Sequence, residues 1–186
     1  QWRKMFSSAL RNVIAMLAAL VGLALVYSMS NVYMLPTQPA WNSWATPVTF
    51  FTTTFLLGAL ALGVAFVANY AYIKRSKPDG AAKQLTLLRD VMRWIAVASI
   101  LLLGVELVTL PIYLASLAAG PGEAIQSVRL IAETYGWVLT LRLALVFLGA
   151  GVFALFIYQN AVSRGQEKVL GNLAYTAFAL VLVAEV

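Results

Sequence analysis

Five stretches of this chain are apolar over the length of a membrane crossing, and that feature limits the fold more than any motif does. They run roughly over residues 13–34, 47–73, 92–117, 137–158 and 173–186. Each of the first four exceeds the roughly 20 residues that a helix needs to cross about 30 Å of hydrocarbon. The fifth is still apolar where the sequence stops. In lipid every backbone N–H and C=O must be paired within the protein, so the spans are expected as helices. The alternating pattern of a membrane barrel is missing. The predicted fold class is all-α, a polytopic transmembrane helix bundle. A soluble domain would need more polar surface than a chain that is 62% hydrophobic and 11% charged can supply. The chain opens on Gln1 and ends at Val186 inside an apolar run. We therefore expect residues 1–186 to be one transmembrane domain, an internal piece of a longer protein.

The absences exclude several kinds of chemistry. With no cysteine, the sequence offers no thiolates to an iron–sulfur cluster. With no histidine, it offers no axial imidazole to a haem, no His ligand to zinc and no imidazole base. No P-loop, nucleophile elbow or metal-ligand cluster is present.

Lys and Arg set the expected orientation. Arg3, Lys4 and Arg11 precede the first span. Lys74, Arg75, Lys77, Lys83, Arg89 and Arg93 lie between the second and third, and Arg164 and Lys168 between the fourth and fifth. The intervening sides carry only Arg129. This asymmetry predicts that 1–12, 74–91 and 160–171 are cytoplasmic. It also accounts for the net charge of +6 without invoking nucleic acid. Lys77-Pro78-Asp79-Gly80 is a turn signal, followed by a helical lead into the third span.

The loop between the first two spans falls on the outer side in this reading. Its sequence, YMLPTQPAWNSWATPVTFF, has no charge, three prolines and two tryptophans. Pro36, Pro39 and Pro47 oppose a continuous helix. Trp41 and Trp44 suit either the headgroup level of a bilayer or the centre of a protein interface. Farther along, AIQSVRLIAETYG after Gly120-Pro121-Gly122 could form a short surface helix.

Three ionisable residues lie inside the spans. Counting along each, Glu106, Arg142 and Glu185 all fall in the outer half. An ionised group in lipid is costly unless it is paired or faces water, so these three should face the bundle interior, with Arg142 paired to Glu106 or to Glu185. An arginine favours the ionised form of a carboxyl beside it. The glutamate that Arg142 does not hold is therefore the better proton carrier. Thr52, Thr53 and Thr54 are expected to bond back to their own helix. Gly58, Gly63, Gly149 and Gly151 permit close packing without forming a strict Gly-x-x-x-Gly pair.

VYMLPTQPAWNSWATPVTFFTTTFLLGALALG resembles the corresponding stretch of the membrane-anchor subunits of dimethyl sulfoxide reductases, the DmsC family. GVELVTLP is similar to that family's Gly-x-Glu-Leu segment, and TLRLAL to its helix with an early Arg. LVLVAEV is similar to its last helix. The likeness covers essentially the whole chain, as the later five of eight helices.

It implies a subunit, itself without haem or metal, that oxidises menaquinol in the membrane. The electrons would pass to an iron–sulfur electron-transfer subunit, and on to a catalytic subunit holding molybdenum bis-pterin, both on the outer face of a bacterial or archaeal cytoplasmic membrane. The resemblance thus makes the loop around Pro39, Trp41, Asn42 and Trp44 the partner-docking candidate. Glu106, Arg142 and Glu185 become the quinol and proton candidates. The family's His-Leu-Gly-x-Pro quinol motif is not in this sequence, and no residue is carried over for it. Two other readings stay open. One is the anchor of a polysulfide, tetrathionate or sulfite oxidoreductase. The other is a secondary transporter, which should show two repeated halves with broken helices; no internal repeat is visible.

Overall fold

The structure, a computed structural model, describes residues 7–76, 81–163 and 166–185. Arg3, Lys4, the Lys77-Pro78-Asp79-Gly80 turn, Arg164 and Val186 lie outside the described residues. Every regular element among those described is helical. Five helices are long and apolar enough to cross a membrane, as the apolar runs require. The chain divides into two compact units, Gln1–Phe51 and Thr52–Val186.

In the first unit, helix α1 spans Ser8–Tyr33. Ser7 caps it, its side chain accepting from the Leu10 N–H at 3.2 Å, which satisfies one of the orphan donors of the first turn. Most of its side chains are exposed, and Ser30 is its one buried residue. Such an apolar, outward-facing surface suits lipid contact. The residues after α1 form a chain of tight turns. Leu35 N–H donates to the Tyr33 carbonyl, Gln38 N–H to Leu35, and Trp41 N–H to Gln38, each at 2.9 Å.

Helix α2 spans Ala45–Ser76. Pro47 sits in its first turn, so this proline does not keep the helix from starting. At that position its missing N–H would have had no intrahelical partner.

The second unit is a bundle of the rest of α2, α3 (Ala81–Ala118), a fourth span over Gly136–Val162, and α7 (Glu167–Glu185). Between α3 and the fourth span lies the short helix α4, Gly122–Arg129, with Glu123 in its first turn and Arg129 in its last. Those charges complement the helix dipole. A π-helical turn, Leu130–Thr134, continues it. The fourth span is α5 (Gly136–Val146), a second π-helical turn (Phe147–Phe153) and α6 (Ala154–Val162).

Buried residues recur three and four apart: Leu56 and Leu60 on α2; Leu88, Met92 and Ile95 on α3; Leu170, Ala174, Ala177 and Val181 on α7. This is the seam spacing of packed helices. The buried residues of the fourth span include the small Gly149, Ala150 and Ala154, and Gly149 lies against α7. Such residues let backbones approach closely where lipid supplies no hydrophobic drive between helices.

The helices run past the apolar stretches, farthest at two starts. Helix α3 starts at Ala81, well before residue 92, and α7 starts at Glu167, before residue 173. The amphipathic leads continue the helix past the hydrocarbon-length core. Pro111 lies inside α3, where it withholds the N–H that the Leu107 carbonyl would accept.

Candidate functional site

Arg142 stands on the second turn of α5 and reaches two helices at once. Its Nη2 lies 3.0 Å from both Oε1 and Oε2 of Glu185, near the end of α7. The same nitrogen lies 2.8 Å from Oε1 of Glu106 on α3. The side chains of Glu106 and Glu185 are 9% and 4% exposed, and that of Arg142 is 28% exposed. The structure therefore brings the three sequence-predicted residues into one cluster. Arg142 takes both carboxylates, where the sequence argument allowed it one.

The two carboxylates are held differently. Glu185 accepts from Arg142 at both oxygens, and its Oε2 also accepts from Thr53 Oγ1 at 2.8 Å. Glu106 Oε1 touches Arg142 as an ion pair but is buried without a hydrogen-bond partner. Two carboxyls face one guanidinium. If both are ionised, the cluster carries one uncompensated negative charge, which the low dielectric of a bundle interior makes costly.

Thr53 is the residue that sequence reasoning missed. It was expected to bond to its own helix; instead it spans to α7. Its hydroxyl gives the Glu185 carboxylate a donor besides Arg142. The available signal was composition: Thr53 is one of three consecutive threonines inside a largely apolar span.

At the other end of α2 and α7 is a second polar contact that the sequence did not announce. Glu167, the first residue of α7, pairs with Lys74 and accepts from the Tyr70 hydroxyl, both on α2. Lys74 is about half exposed. Tyr70 is buried.

The docking candidates lie in the first unit. Trp41 meets the Tyr33 ring edge-on, with centroids 5.8 Å apart at 73°. Tyr33 also packs against Phe50 at 5.3 Å. The Thr46 hydroxyl donates to the Trp41 carbonyl, and the Asn42 N–H to the Gln38 carbonyl at 2.9 Å. These bonds fix the backbone of an uncharged loop while Trp41, Asn42 and Trp44 stay exposed and Pro39 is half-buried. Among the described residues, no group of three or more His, Cys, Asp or Glu side chains is placed to hold a metal ion.

A family model described as DMSO reductase anchor subunit (DmsC) matches residues 2–186. No curated protein and no solved structure matches the chain.

Proposed function

This chain belongs to the DMSO reductase anchor subunit (DmsC) family, and from that premise we propose that it oxidises menaquinol within the membrane. One quinol gives up two electrons and two protons. In this reading the electrons enter an iron–sulfur subunit and continue to a molybdenum bis-pterin catalytic subunit. The protons leave toward the outer face of a bacterial or archaeal cytoplasmic membrane.

The observation that supports this most is the state of Glu106. Its Oε1 is buried, lies beside a guanidinium, and accepts no hydrogen bond. A quinol hydroxyl is a donor suited to such an acceptor. Arg142 would keep the carboxyl in place as a proton arrives. Glu185, held by Arg142 and Thr53, would act as the fixed counter-charge. The exposed aromatic loop around Trp41 and Trp44 supports a docking role for the iron–sulfur subunit, since uncharged aromatic surfaces suit interface centres. The Lys and Arg asymmetry supports an outer position for that loop.

The test is to purify the chain with its partners, measure iron and molybdenum, and add a menaquinol analogue. Quinol-driven reduction of the clusters is the expected result. A metal-free preparation, or clusters that quinol does not reduce, would overturn the reading. Glu106→Gln should slow that reduction by more than Glu185→Gln does. Full rates in both variants would remove the proton role.

A further inference from the structure

The second π-helical turn, Phe147–Phe153, joins the arginine-bearing half of the fourth span to the half that packs deepest in the bundle. Its two glycines face two different helices. A Cβ on Gly149 would come 2.9 Å from the Ala177 carbonyl oxygen and 2.7 Å from Val181 Cγ2, both on α7. A Cβ on Gly151 would come 3.0 Å from Leu103 Cδ2 on α3. Val181 lies one turn before Glu185, and Leu103 lies one turn before Glu106. The glycines therefore touch the two carboxylate-bearing helices next to their carboxylates. By contrast, a Cβ on Gly22, Gly58 or Gly104 would meet nothing within 4 Å.

A π turn carries an extra residue relative to an α turn. One residue corresponds to about 100° of rotation in an α-helix. Closing this turn to α geometry would swing α5, and Arg142 with it, by that angle relative to α6. A regular helix would thus present Arg142 to a different neighbour.

We propose that the Phe147–Phe153 turn is the positioning element of the charged cluster. Gly149 sets the approach of the fourth span to α7, and Gly151 its approach to α3. Together they hold Arg142 where one guanidinium meets both Glu106 and Glu185. The proposal rests on the quinol reading only for what the cluster does, not for how it is assembled.

A double-mutant cycle tests it, read as the thermal unfolding midpoint of the purified complex. Gly149→Ala should lower the midpoint more in the wild-type background than in the Glu185→Gln background, because in the latter the contact it serves is already weakened. Equal falls in the two backgrounds would overturn the proposal, since simple crowding against Ala177 is additive. Should Gly149→Ala not assemble, Gly151→Ala crossed with Glu106→Gln gives the same decision, because the tip of Leu103 can move. Gly22→Ala is the control and should leave the midpoint unchanged. The cycle involves no turnover, so it judges the positioning separately from the identity of the substrate.

Discussion

Helices α2 and α7 are tied at both ends, and the two ties are built in opposite ways. At the Glu167 end, one carboxylate meets one lysine that is half exposed, with a tyrosine hydroxyl beside it. At the Glu185 end, two buried carboxylates share one arginine, with a threonine completing the set. The first is balanced in charge and open to solvent. The second has one acid too many and is closed. A balanced, open pair fastens helices, whereas a closed cluster of two acids and one base fits the proton role proposed above.

That contrast predicts an ordering of effects, each read as a shift in unfolding free energy of the purified complex. Arg142→Met should be the most damaging, by about 3–5 kcal/mol, because it leaves two buried carboxyls without a counter-charge. Glu185→Gln should cost about 2 kcal/mol, since it weakens charge-assisted hydrogen bonds from two donors while Glu106 still serves Arg142. Tyr70→Phe should cost about 1 kcal/mol, removing one donor from a carboxylate that retains its lysine. Lys74→Met should be mildest, below about 1 kcal/mol, and its effect should shrink further in high salt. If Lys74→Met proved as harmful as Arg142→Met, the distinction between an open pair and a closed cluster would fail. A salt-insensitive Lys74 effect would blur it.

The spans were legible because hydropathy over about 20 residues reports the solvent directly. Their ends were less so. The segment from Ala81 to the third span is amphipathic rather than apolar, and a helix continues for as long as its backbone is bonded, not for as long as lipid surrounds it. The cluster was half legible. Glu106, Arg142 and Glu185 announce themselves by being ionisable inside apolar runs, but which of them meet depends on rotation about each helix axis. The π turn changes that rotation within the fourth span, and nothing in the FLGAGVF sequence beyond its two glycines marks it. Thr53 was assigned to its own helix on the usual behaviour of threonines in membrane helices, which tertiary structure overrode by presenting a charged acceptor. Tyr70, Lys74 and Glu167 were invisible for the same reason: each is an ordinary residue for the end of a span, and only the antiparallel pairing of α2 and α7 brings them together.

The tie points also bear on how the bundle meets its bilayer. Glu167 and Glu185 are separated on α7 by a rise of about 27 Å at 1.5 Å per residue, close to the roughly 30 Å of hydrocarbon in a typical membrane. Two antiparallel helices fastened at both levels cannot slip past one another to match a thinner or thicker bilayer. They can only lean as a unit, while the lipid around them compresses or stretches to fit.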